Sequence, residues 1–148
     1  MKLIAHRGLM RGPNKHLENK PIQILHCLDL GFDCEIDLWF QNFKFYLGHN
    51  SPIYEVDKNF LKKEGLWIHA KNLECLYELS NYKELNYFWH QKDDYTLTSH
   101  GYIWTFPGQP LTAKSIAVLP EWSDPTLINN YNCVGICSDF IYHISNRN

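Results

Sequence analysis

Apolar residues come in short runs separated by polar segments with glycine and proline punctuation, and the spacing inside each run predicts its element. Leu3-Ile4-Ala5-His6 reads as a strand over residues 3–6, followed by a polar loop over 8–16. Asn19 is a fair N-cap, and Pro21 suits the first turn of the helix that follows. Ile22, Leu25, Cys27, Leu28 and Leu30 form its apolar stripe, and Gly31 ends it. A strand over 32–40, a turn at Gln41-Asn42 and a strand over 43–47 leave room only for a hairpin.

Beyond His49 the pattern predicts a loop with a helical turn around 56–63 and a strand over 66–70. Asn72 caps a second helix carrying Leu73, Leu76, Tyr77 and Leu79, and 86–89 reads as a further strand. A hairpin or strand pair spans 93–106, and strands over 116–119 and 133–137 complete the set. The segment 142–148 reads as a fraying tail. About eight strands with two convincing helices make a strand-rich α/β chain.

A chain of 148 residues is expected to form a single domain over 1–148. With 45% hydrophobic and 20% charged residues and a net charge of -2, the composition excludes disorder and a nucleic-acid binder working through a basic surface. No window approaches the roughly 20 apolar residues of a membrane span. The first strand starts too near Met1 for an export signal, so a cytoplasmic location is expected. Five cysteines, an odd set without a Cys-x-x-Cys pair, read as reduced and mostly buried thiols. The aromatic share is 15%, which lets a short chain bury much surface per residue.

Polar groups gather at the ends of the apolar strands: His6-Arg7-Gly8, Glu35-x-Asp37, Gly48-His49 and His69-x-Lys71. A hairpin turning near Asn42 sets Glu35 across from His49, with Asp37 two residues along on the same face. Two carboxylates beside an imidazole suit a hard cation with a general acid or base at its edge. Each residue also has a plain structural reading. Glu35 and Asp37 could line a solvated strand face, His6 and His69 could be satisfied core histidines, and Arg7 and Lys71 could be surface cations.

The order of these groups carries a resemblance. Ile4-Ala5-His6-Arg7-Gly8, Leu17-Glu18-Asn19 before a helix, Gly31-Phe32-Asp33-Cys34-Glu35-Ile36-Asp37-Leu38 and Leu47-Gly48-His49 are similar to the first third of the glycerophosphodiester phosphodiesterase family. Weaker likenesses follow in Trp67-Ile68-His69-Ala70-Lys71, Trp104-Thr105 and Gly135-Ile136-Cys137-Ser138-Asp139. The resemblance implies a metal-dependent TIM (β/α) barrel that cleaves glycerophosphodiesters to glycerol 3-phosphate and an alcohol. It makes His6 and His49 the acid and base, with Glu35, Asp37 and His69 the ligands of a divalent Mg, Ca or Mn ion. Arg7 and Lys71 would hold the phosphate, and Trp104 would form an apolar wall for the glycerol or the alcohol. His69 stands where the family has a third carboxylate, which favours Mn²⁺ or Zn²⁺ over Ca²⁺ or Mg²⁺.

A full barrel takes about 250 residues, so a trimmed or incomplete one with several outer helices missing is expected. Aromatic side chains or a homodimer partner would cover the strand faces left bare. The implied partner is a small phosphodiester from lipid, teichoic acid or surface-polysaccharide metabolism, with no nucleic acid. The alternatives are a non-catalytic phosphoglycerol- or sugar-phosphate-binding protein on a degenerate barrel, and a phospholipase C or D type cleavage on the same barrel.

Overall fold

The computed structural model describes residues 1–123 and 131–146. Among these, the chain is α/β, with ten strands in one sheet and four helices. The order is β1 (Lys2–Ala5), α1 (Pro21–Asp29), β2 (Asp33–Gln41), β3 (Lys44–Leu47), β4 (Tyr54–Val56), α2 (Lys58–Leu61), β5 (Leu66–Ala70), α3 (Leu73–Leu79), β6 (Tyr87–Phe88), β7 (Tyr95–Leu97), β8 (Ile103–Thr105), β9 (Ser115–Val118), β10 (Gly135–Ser138) and α4 (Ile141–Ser145). Seven strands run parallel in the spatial order β6, β5, β2, β1, β10, β9, β8. β7 lies antiparallel on β8, while β3 and β4 continue antiparallel from the far half of β2.

The sheet is not closed. The ladder ends at β6 and β7, which have two and three residues and do not pair with one another. Ser99 donates its N–H to the Tyr87 carbonyl at 2.8 Å and Thr96 its hydroxyl to Trp89 at 2.8 Å, so local bonds take the place of a ladder there.

Strand alternation sorts the core into two clusters. Ile36, Leu38, Ile68, Ala70 and Ile136 face the helices, meeting Ile24 and Cys27 of α1, Cys75 and Leu79 of α3, and Ile141 and Ile144 of α4. The opposite face carries Ile4, Trp67, Phe88, Trp104, Ile116 and Cys137. Trp104 sits 4.6 Å from Phe88 and 6.0 Å from Trp67, ring centre to ring centre, so large rings fill this face without any helix.

Several local expectations shift. Asn42 and Phe43 both have positive φ, 49° and 62°, so the hairpin turn is Asn42-Phe43 and β3 starts at Lys44. Register then pairs Leu38 with Leu47, one residue away from the predicted alignment. β4 was not predicted, because its three residues carry no usable periodicity. In α1, Ile22 and Leu30 are exposed, and Ile24 and Cys27 make the core contact. The predicted tail forms α4 over Ile141–Ser145, held by buried Ile141 and Ile144; residues 147–148 of that segment lie outside the described residues. α3 is capped as expected, with Asn72 Oδ1 accepting from the Cys75 N–H. All five cysteines are free thiols, four of them buried.

Candidate active site

The parallel strands deliver their C-terminal ends to one edge of the sheet, where ligands of such sheets ordinarily bind. His6 and Arg7 follow β1 in a single 3-10 turn, with Arg7 left-handed at φ 53° and Gly8 at φ 78°. A side chain on Gly8 would press on Ile24 of α1, so glycine permits both the turn and the close helix. Gly48 has φ 155°, and a side chain there would collide with the Ser51 carbonyl. Trp39 Nε1 donates to the Gly48 carbonyl at 2.6 Å, which fixes the turn presenting His49.

Glu35 and Asp37 do not lie on a solvated face: they are 2% and 1% exposed. Asp37 is the hub. Its Oδ2 accepts from Asn19 Nδ2 at 2.9 Å and stands 3.2 Å from both His49 Nδ1 and Arg7 Nε. Its N–H donates to Asn19 Oδ1 at 2.9 Å, so one buried amide pins both the backbone and the carboxylate. Asn19 is therefore not a helix cap; Lys20 occupies that position, and Asn19 sits at φ 58° with its side chain turned to Asp37. His49 meets Asp37 and not Glu35, a consequence of the one-residue change in hairpin register.

Arg7 ties the cluster together. Its N–H donates to Glu35 Oε2 at 3.0 Å, its Nη1 to Glu18 at 3.2 Å and its Nη2 to His49 Nε2 at 3.3 Å. An arginine only donates, so His49 Nε2 carries the lone pair and Nδ1 the proton that faces Asp37. Lys71 Nζ lies 3.6 Å from Asp37 Oδ1.

His69 is the informative departure. Its Nε2 donates to the His90 carbonyl at 2.9 Å, because a carbonyl only accepts. In the neutral ring, Nδ1 then presents a lone pair to Asp37 Oδ1 at 3.1 Å and Glu35 Oε1 at 3.8 Å. Three acceptors facing one another require a positive charge or a shared proton between them. Asp37 Oδ1 is buried without an aligned hydrogen-bond donor, and one ligand atom from each of Glu35, Asp37 and His69 falls within 4.8 Å of the others. The three residues fit a divalent cation in chemistry and in reach, with His90 orienting the imidazole from behind.

His6 Nδ1 lies 2.7 Å from Asp139 Oδ1. Burial pulls the His6 pKa down, but the Asp139 hydrogen bond and the charge of Glu35 outweigh it, and the net shift is upward. Burial and the neighbouring Asp37 raise Glu35. Burial would also raise Asp37, yet contacts to the His49 and His69 imidazoles and the Arg7 charge hold it well below the usual carboxylate range. Two adjacent buried acids thus separate, with Asp37 the firm anion.

A cavity of about 330 Å³ brings together His6, Arg7, Glu35, Asp37, His49, His69 and Lys71. Trp104 lines it as well, although the residue is 4% exposed and mostly packed. Sequence reasoning gave no site role to Asp139, Asn19, Glu121 or His90. Asp139 and Asn19 both fall within quoted motifs, Gly135–Asp139 and Leu17–Asn19, and so had a usable signal; Glu121 acts across a long separation and His90 through its backbone carbonyl. A larger groove of about 1100 Å³ lies outside, between the β2–β3 turn and α3, and none of the candidate site residues lines it. No candidate span among the described helices is long and apolar enough to cross a membrane. Comparison with protein-family models, curated proteins and solved structures found no match to this chain.

Proposed function

We propose that the protein is a metal-dependent phosphodiesterase acting on a small phosphodiester, most simply a glycerophosphodiester cleaved to glycerol 3-phosphate and an alcohol. The observation that carries this reading is the convergence of two carboxylate-held histidines and two cations on the Glu35–Asp37–His69 cluster in one cleft. The sheet is read as a trimmed barrel with its gap between β6 and β7, since its seven parallel strands follow one another in chain order on either side of β1.

A divalent cation held by Glu35, Asp37 and His69 would neutralise charge on the phosphoryl oxygens. Arg7 and Lys71 bind the nonbridging oxygens, with Arg7 Nη2 leaving His49 as substrate enters. Both imidazoles are fixed through Nδ1, so each exchanges protons with the substrate at Nε2. His49, with its lone pair at Nε2, takes a proton from the attacking water as the water oxygen forms a bond to phosphorus. His6, held as the imidazolium by Asp139, gives its Nε2 proton to the alkoxide as the other P–O bond breaks. A second proton exchange with solvent restores both rings.

The test is hydrolysis of glycerophosphocholine and bis(p-nitrophenyl) phosphate with Mg²⁺, Ca²⁺, Mn²⁺ or Zn²⁺, comparing wild type with His6→Ala and Glu35→Ala. Turnover that needs a metal and falls at least roughly 100-fold in both variants supports the reading. Absence of turnover with every metal, or full activity in the variants, refutes it. Phosphate binding without turnover would favour the non-catalytic phosphoglycerol- or sugar-phosphate-binding alternative.

A further inference from the structure

The cleft has two chemically distinct halves. Its charged half holds the histidines, the acids, Arg7 and Lys71. Its other half is walled by Trp104, Phe106, Pro107, Val118, Leu119 and Trp122. Trp122 is 67% exposed and Phe106 40% exposed, so two aromatic rings stand at the mouth, one largely and one partly open to solvent. Isolated exposed rings are common on proteins, but these two line the same cavity as the catalytic groups.

The backbone holds Trp122 there by construction. Leu119 adopts a left-handed conformation at φ 44°, unusual for a non-glycine residue, and donates its N–H to the Cys137 carbonyl at 2.7 Å. The chain then turns through the short 3-10 segment Pro120–Trp122. Glu121 braces this segment, accepting from Ser138 Oγ at 3.0 Å and from the Asp139 N–H at 3.0 Å. One carboxylate therefore ties the turn bearing Trp122 to the residue that orients His6.

We infer that the apolar half of the cleft is the subsite for the alcohol part of the substrate, and that this alcohol is an alkyl or aryl group rather than a polar or cationic one. This rests on the phosphodiesterase reading. With the phosphate held by Arg7 and Lys71, an ester arm directed away from the charged half meets Trp104, Val118 and Leu119 and passes out between Phe106 and Trp122. Among the described residues, an ammonium-bearing alcohol meets no free carboxylate on that side, because Glu121 is occupied by Ser138 and Asp139 and is not among the lining residues. Two cations and the histidines stand opposite. A cavity of about 330 Å³ is at the small end for ligand sites, so it encloses the phosphate and the first part of the alcohol and leaves the rest at the open mouth.

The test measures calorimetric binding of n-hexyl phosphate, glycerol phosphate, choline phosphate and inorganic phosphate to the full chain. In parallel it measures kcat/KM on hexyl glycerophosphate diester and on glycerophosphoglycerol. Hexyl phosphate is expected to bind roughly tenfold or more tighter than glycerol phosphate, a gain that burial of two methylenes supplies. Trp122→Ala and Phe106→Ala should each remove most of that gain while leaving inorganic phosphate unchanged. Equal affinities, a preference for choline phosphate, or a hexyl preference that survives both substitutions overturns the inference. Hydrolysis of both diesters at the same kcat/KM, alike in wild type and Trp122→Ala, also overturns it while the phosphodiesterase reading stands. A hexyl preference in binding with no hydrolysis of either diester sinks the phosphodiesterase reading and keeps the apolar subsite.

Discussion

His6 and Asp139 are separated by 133 positions in the chain and by 2.7 Å in space, Nδ1 to Oδ1. Parallel pairing of β1 with β10, Ala5 opposite Ser138, brings the two strand ends side by side and makes the contact inevitable once the sheet forms. A carboxylate behind an imidazole selects the Nδ1–H tautomer and favours the imidazolium.

Asp139→Asn should therefore lower kcat by roughly 100-fold or more without unfolding the protein. Wild type should show a bell-shaped rate profile, and in the variant the limb set by His6 should move to lower pH. Stability follows the same sign. A raised native pKa means that protonated His6 stabilises the fold, fully below the ordinary histidine value and progressively less as pH rises through the native one. Thermal unfolding of Asp139→Asn should show a flatter pH dependence over that window. A flat rate profile from pH 5 to 9 in wild type would remove the two-histidine scheme.

Metal binding should be visible without any substrate. After chelation, Mn²⁺ or Zn²⁺ should raise Tm more than Ca²⁺ or Mg²⁺, because the third ligand is an imidazole. His69→Glu should shift the preference toward Ca²⁺ and Mg²⁺, and His69→Ala should weaken all four. A Tm indifferent to every ion would refute the metal site.

Asn19→Asp changes almost no volume but replaces a donor to Asp37 with a second buried anion. Asn19 is fully buried, so the loss should be on the order of 3 kcal/mol, read from denaturant unfolding. An effect under about 1 kcal/mol would place Asn19 back in a helix-capping role, where Asp serves as well as Asn.

Phe43 is 94% exposed at φ 62° in a two-residue turn that favours glycine. Phe43→Gly should raise stability by roughly 1 kcal/mol, a Tm increase of about 2–4 °C. A lower Tm would reveal packing by the ring that its exposure does not suggest.

Burial pushes the Cys75 thiol up to about 12 and also raises Cys34 and Cys137. Brief alkylation of the native protein near pH 8 should add one adduct, at half-buried Cys133, and the denatured chain should take five. Rapid labelling of Cys75 in the native state would contradict its burial.

Much of the site was legible because each piece is local. His6-Arg7-Gly8, Glu35-x-Asp37 and Gly48-His49 are short motifs at strand ends, and their side chains do converge. The hairpin was legible as well, but not its register, since the turn type depends on Asn42 and Phe43 accepting positive φ. Asn19 misled because the same side chain caps a helix or bonds a distant carboxylate equally well. The tail misled because Ile141 and Ile144 are too few to show a helical period until the sheet covers them.

The sequence by itself determined the α/β class, most of the strands and the chemical groups at their ends, because period, turn chemistry and motif spacing act over a few residues. Only the tertiary structure decided that Glu35 and Asp37 are buried rather than solvated. It also decided that His69 turns Nδ1 toward them, that Asp139 stands behind His6 and that Trp122 reaches the cleft. Those facts depend on which strands become neighbours and in what register, and that choice is made by burying two faces of one sheet at once, not by any local segment.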